Sequence, residues 1–232
     1  MRENRTSGTV WGVSGNRHSY HDCIHIMTTN LTIEANKFRA WADTYPNESR
    51  FGEWECDYDN WPALNRAFLT LVSEKDPTNL SKSEINDLIY VIARDNEMEE
   101  LIEKVASNAE LFKLLLQNVL ISNESDAKWQ FAVFLGKGVL DKYVAEDALL
   151  QLVEDANEYV SRMALQALGR IRSNHAEALC KRAWDSKHEY QRIMALWVLK
   201  EINSKELNKY LQLAIKDGRK YVVQNANEIE NA

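Results

Sequence analysis

The sequence predicts an all-α fold, a solenoid of stacked antiparallel helix pairs, from three observations. One helical pattern recurs at an interval of 31 residues. Glu158-Tyr159-Val160 returns as Glu189-Tyr190-Gln191 and, more loosely, as Lys220-Tyr221-Val222. Behind the first two tyrosines, Met163, Ala164, Leu165, Leu168 and Ile171 map onto Met194, Ala195, Leu196, Leu199 and Ile202, and Ala226 continues the alanine series. Such units stack because each helix pair has an apolar face that only a neighbouring pair can bury. The composition is the second observation. With 8 Gly and 3 Pro in 232 residues, and no Pro after Pro77, long runs of Leu, Ala, Glu, Lys and Gln are free to stay helical. Third, no stretch reads as a regular strand of a sheet.

Met1 to Ile26 is rich in Arg, Asn, Ser, Gly and His without helical or strand periodicity, and is expected to be disordered. Met27 precedes the first amphipathic stretch and is a candidate start of translation. His18, His21, Cys23 and His25 offer metal-ligand atoms at short spacing, but a zinc site needs a rigid frame that such a segment does not supply, so a plain leader is the preferred reading. A helix from about Ile33 to Thr44 follows, with Phe38, Trp41 and Ala42 on its apolar side, and Pro46 ends it.

The next stretch is the most unusual in the chain. Glu53, Glu55, Asp57 and Asp59 alternate with Trp54, Cys56 and Tyr58, and Trp61-Pro62 follows. An extended backbone would send the carboxylates to one side and the rings to the other, making the segment a plug over an end of the solenoid. The competing reading is a surface for a basic protein partner, formed by Glu53, Trp54, Glu55, Asp57, Tyr58, Asp59 and Trp61. The spacing does not follow a calcium-loop pattern. Residues 27–79 are thus expected to form a helical cap packed with the repeats of 80–232 as one domain.

Asp59 or Asn60 can cap a helix with Pro62 in its first turn and Leu64, Phe68, Leu71 and Val72 at helical spacing. Ser81-Lys82-Ser83-Glu84 fits a capping box before Ile85, Leu88, Ile89 and Ile92. Helices are expected over 97–107 and 109–121, then a repeat beginning at Asp126 whose Leu135-Gly136 corresponds to Leu168-Gly169 at an interval of 33. Second helices are expected over 144–153, 176–184 and 207–215, with Leu149, Cys180 and Leu211 in equivalent apolar places. Cys180 is therefore read as a core residue rather than a reactive thiol.

These residues resemble the HEAT-like repeats of the armadillo/HEAT superfamily, particularly the short form first recognised in phycobilin lyases. The pattern appears as Asp155, Arg162, Ala164-Leu165 and Leu168-Gly169, then as Asp185, Arg192, Ala195-Leu196 and Leu199. The resemblance covers 126–229 well and 80–121 weakly, and implies an α-solenoid whose commonest job is to bind another macromolecule. Lyase activity is not carried over, because the matching residues are those that make the stack. The repeated Asp and Arg are expected to form a ladder of charge-assisted hydrogen bonds at the turns. Trp184 and Trp197 are expected in the core, and His175 and His188 as loop or cap residues.

Charge sharpens the functional expectation. From Asp155 onward there are 13 Lys+Arg against 10 Asp+Glu, while Met1 to Glu154 has 15 against 25, which leaves the first two-thirds acidic and disfavours broad nucleic-acid binding. Three well-separated cysteines fit a cytosolic chain with reduced thiols, and no apolar run approaches the ~20 residues of a membrane span. The expected function is a non-enzymatic scaffold for a protein partner, an immunity or inhibitor protein being one form, with no cofactor and no catalytic residue assigned. Its concave face would come mainly from the second helices, with Lys181, Arg182, Lys205 and Lys209 as further partner-binding candidates. The alternative is a DNA-binding protein of the alkylpurine-glycosylase type, also built on HEAT-like repeats.

Overall fold

A computed structural model describes residues 30–50 and 54–231, and the leader with its His18, His21, Cys23 and His25 lies outside them. Every regular element among the described residues is helical. In order these are α1 (Leu31–Thr44), α2 (Trp61–Glu74), α3 (Lys82–Arg94), α4 (Glu100–Ala106), α5 (Ala109–Leu120), α6 (Ser125–Gly136), α7 (Lys142–Leu152), α8 (Glu158–Arg170), α9 (Ala176–Asp185), α10 (Glu189–Glu201), α11 (Leu207–Asp217) and α12 (Lys220–Asn231). Single 3-10 turns occur at Asn47–Ser49, Trp54–Asp57 and Pro77–Asn79. The helix starts at 158, 189 and 220 reproduce the 31-residue interval, as do those at 176 and 207.

Local chemistry sets the boundaries. Asn30, Asn108 and Asn157 each cap a helix by accepting backbone N–H bonds in the first turn. Ser81 and Glu84 form the expected capping box on α3. Asn60 stands at the N-cap of α2 but makes no side-chain cap bond. The turns between paired helices also repeat. Arg172 and Asn203 adopt left-handed backbone at φ 50° and 55°, and each turn closes when the next residue's N–H returns to a carbonyl five residues back, Ser173 to Leu168 and Ser204 to Leu199, both at 2.9 Å.

One hydrophobic core runs the length of the molecule, from Leu31 to Ile229. Helices α1, α3, α6, α8, α10 and α12 form a row in which each packs on the next, while α7, α9 and α11 touch chiefly the first helices on either side of them. Glycine explains the close spacing. A Cβ added to Gly169 would stand 2.9 Å from Val198 Cγ1, and one on Gly136 would stand 3.0 Å from the Cα and Cβ of Ala167. Both Leu-Gly pairs lie on first helices, Gly136 on α6 and Gly169 on α8.

The stack ends in polar residues on α12. Leu165 and Leu196, both buried, hold equivalent places on α8 and α10, but the next place in the series is Asn227, which is exposed along with Gln224, Glu228 and Asn231.

Candidate functional site

The 31-residue register places a row of rings on the outward side of the first helices. Tyr159, Tyr190 and Tyr221 each occupy the second residue of their helix, one step before the buried Val160, Gln191 and Val222, and are 39%, 51% and 50% exposed. Trp197, two turns beyond Tyr190, is 36% exposed and donates from Nε1 to Asn225 Oδ1 on α12 at 2.7 Å. The core expectation therefore holds for Trp184, which is buried, and fails for Trp197. Tyr190, Ile193 and Trp197 make a second stripe beside the core stripe of Gln191, Met194, Ala195, Val198 and Leu199. That second stripe is the sequence signal that marks the face.

Arginines join the rings across helices. The Arg162 guanidinium carbon lies 4.7 Å from the Tyr159 ring centre and 5.2 Å from that of Tyr190, so the side chain bridges α8 and α10. Its Nε donates to Glu158 at 3.0 Å, the same carboxylate that lies 3.6 Å from His188 Nδ1. Trp129 on α6 meets Tyr159 edge to face at 5.3 Å. Farther along the row, Arg39 and Arg94 lie 4.2 Å and 4.5 Å from the ring centre of Tyr90. Arg39 pairs with the buried Asp87 and Arg94 with Glu124, both at 2.8 Å.

The expected charge ladder exists, in a different register. Arg192 pairs with Asp217 and donates from Nε to the Trp184 carbonyl at 2.8 Å. In the preceding repeat the residue 31 positions earlier is Ser161, whose hydroxyl donates to the Val153 carbonyl at 2.8 Å. Lys128 holds the same place in α6 and pairs with Asp155 at 2.8 Å. Arg162 is thus one residue out of step with Arg192, and this offset points it at the tyrosines instead of the turn. Hydrogen bonds from Arg219 first, and from Arg192, hold the Asp217 carboxyl far below the usual carboxylate range.

The acidic-aromatic segment behaves as a plug, though not by alternation. Glu53 lies outside the described residues. Residues Trp54–Asp57 form a 3-10 turn, so rings and carboxylates are not sorted to two sides, and Glu55 points inward at 6% exposure. Tyr58 is buried and meets Phe38 edge to face at 4.8 Å, and Trp54 stacks on Trp41 at 5.5 Å. Trp61 donates from Nε1 to the Glu55 carbonyl at 2.6 Å. Asp57 and Asp59 are exposed, and Asp57 accepts from the Tyr45 hydroxyl at 2.6 Å. The rings are therefore used to close the end of the core.

Lys181, Arg182, Lys205 and Lys209 are exposed on the second-helix side. Arg182 reaches Glu154 of the preceding repeat at 2.6 Å, and Lys209 is paired with Glu206 at 2.8 Å. The Arg182–Glu154 pair spans a cleft of about 370 Å³, whose wall includes Leu165, Leu179, Glu158 and His188. Cys180 is fully buried, and burial pushes its thiol up to about 12, which suppresses the thiolate. His175 and His188 stand at the N-caps of α9 and α10. Among the described residues no group of three or more His, Cys, Asp or Glu could hold a metal ion, and no helix is long and apolar enough to cross a membrane.

Comparison with known proteins agrees with this geometry. The HEAT repeats family matches residues 115–200 and 145–229. No curated protein and no solved structure matches the chain. Two overlapping matches in register with stacked helix pairs α6 to α12 show that the chain is a HEAT-like repeat protein.

Proposed function

We propose that this chain is a non-catalytic scaffold that binds a protein partner on the outward face of its first helices. The observation that carries the reading is the continuous row of half-exposed rings, Tyr159, Tyr190, Trp197 and Tyr221, with Arg162 held between two of them. Tyr, Trp and Arg dominate interface hot spots, and a ring already packed on one side loses little conformational freedom when a partner covers the other. The acidic-aromatic segment supports this reading less well, because Tyr58 is buried and Trp54 and Trp61 pack against the core. An inhibitor or immunity role is the narrower form of the proposal, in which occupying a target's surface is the whole activity. The buried thiol of Cys180 is compatible with a cytosolic setting.

The test compares wild-type bait with a Tyr159→Ala/Tyr190→Ala/Trp197→Ala bait, both checked for native circular dichroism, in nuclease-treated native lysate. A stoichiometric protein captured by the first and lost from the second supports the proposal, since each hot-spot ring should contribute ~2 kcal/mol or more. Equal capture by both baits would remove this face from the interface. Recovery of nucleic acid alone from untreated lysate would favour the DNA-binding alternative.

A further inference from the structure

A second site lies away from that face, at the junction of the Trp54–Asp57 turn, the start of α2 and the loop joining α3 to α4. It is a cavity of about 160 Å³, lined among others by Glu55, Trp61, Asn65, Arg94, Glu97 and Met98. Two of its lining residues carry buried acceptors without a hydrogen-bond partner, Glu55 at Oε2 and Asn65 at Oδ1. Glu55 is 6% exposed, so little of its carboxyl can be satisfied by bulk solvent. A buried carboxylate oxygen without a donor is among the most costly groups a fold can hold, and most such groups are satisfied.

The surroundings define what would satisfy it. Three acidic residues line the cavity, Glu55, Asp95 and Glu97, against one basic residue, Arg94. That arginine is already committed to Glu124 at 2.8 Å and to the face of Tyr90. Asp95 accepts the backbone N–H of Leu101 at 2.8 Å and Glu97 is met by Cys56 Sγ at 3.6 Å, while Glu55 Oε2 is the buried carboxylate oxygen of the cavity without a donor. We propose that this cavity binds a primary ammonium group, whose N–H donors go to the Glu55 carboxylate and the Asn65 carbonyl while its alkyl stem lies against Trp61 and Met98. Burial, the largest influence on Glu55, raises its pKa, because its charged form lacks the solvation that a bound cation would replace. The inference does not depend on the protein-binding reading.

The ammonium can belong to a small alkylamine or to a lysine side chain, and the experiment separates the two. The full chain, labelled for NMR, is titrated with n-butylammonium, with a short acetylated and amidated lysine peptide, and with n-butanol as the neutral analogue of similar shape. Saturable shifts of the Asn65 side-chain amide and the Met98 methyl are expected with the two cations and not with the alcohol. Tighter binding of butylammonium identifies a free amine as the ligand, and equal or tighter binding of the peptide identifies lysine. Glu55→Gln should weaken both by ~tenfold or more, because it removes the charge and keeps the shape. The alcohol comparison uses only the wild-type protein and stands even if the variant misfolds. Absence of saturable shifts, equal binding of the alcohol, or unchanged affinity in folded Glu55→Gln overturns the proposal.

Discussion

The spacing of the first-helix row can be tested at Gly169. This residue sits inside α8, where alanine would ordinarily stabilise a helix by about 1 kcal/mol. Here the added methyl would meet Val198 Cγ1 at 2.9 Å and Cγ2 at 3.3 Å. Valine in a helix has one strongly preferred rotamer, so these methyls cannot swing aside, and overpacking of this kind costs about 1–3 kcal/mol. Gly169→Ala should therefore be neutral to destabilising by about 2 kcal/mol. In a Val198→Ala background the obstructing methyls are gone, only the propensity gain remains, and the same change should stabilise by about 1 kcal/mol. The propensity gain is common to both backgrounds and cancels in the double-mutant cycle, leaving a coupling of about 1–3 kcal/mol. Urea denaturation of the four proteins, followed by far-UV circular dichroism, supplies the cycle. A coupling below about 0.5 kcal/mol, with Gly169→Ala stabilising in both backgrounds, would refute the close approach of α8 and α10.

Three further outcomes are expected. Hydrogen bonds from Lys75 and then Ser81 hold Glu84 at about 2 against an ordinary 4.5, so its contribution to stability is complete above that ordinary value and is lost as pH falls toward 2. Asp217 acts in the same direction, and urea midpoints measured across this range should fall less steeply in Glu84→Gln than in the wild type. Glu55 has the opposite sign. Its raised pKa means that ionisation costs stability as pH climbs from the ordinary 4.5 through the folded value. Glu55→Gln should thus stabilise by on the order of 1 kcal/mol at neutral pH and lose that advantage in acid, while a variant less stable at neutral pH would contradict a buried carboxylate oxygen without a donor. Finally, the buried thiol of Cys180 should resist iodoacetamide at mildly alkaline pH until denaturant unfolds its repeat, as read by peptide mass mapping. Modification in native buffer would show that α9 is not packed as described.

Much of the fold was legible because one number, 31, governs both rows of helices. It fixes the starts of α8, α10 and α12, and aligns Leu149, Cys180 and Leu211 within the core. Ser81 and Glu84 were readable for the same reason that they cap: both partners lie within one turn. What lay beyond the pattern depends on distances between helices. Leu-Gly marked the repeat, but that glycine lets first helices approach one another follows only from seeing Val198 opposite Gly169. Matching Arg162 to Arg192 joined two arginines 30 residues apart in a lattice of 31, and that single step separates a turn-bracing side chain from one held against two tyrosine rings. The alternation of rings and carboxylates around Trp54 read as an extended segment because period two is a strand signal. Contacts of Trp54 and Tyr58 with α1 instead wind it into a 3-10 turn and carry Glu55 inside.

The polar face of α12 bears on how molecules meet. Stacking one repeat on the next is a head-to-tail contact, and such contacts do not close on themselves; between separate molecules they generate open fibres. Where α8 and α10 offer Leu165 and Leu196 to their successors, α12 offers Asn227, with Gln224 and Glu228 hydrogen-bonded to each other beside it at 3.0 Å. A second copy docking there would strip water from amides and a carboxylate and supply no matching partners. Asparagine at this one place in the leucine series thus makes the exposed side of α12 a poor surface for the apolar stacking that joins α8 to α10.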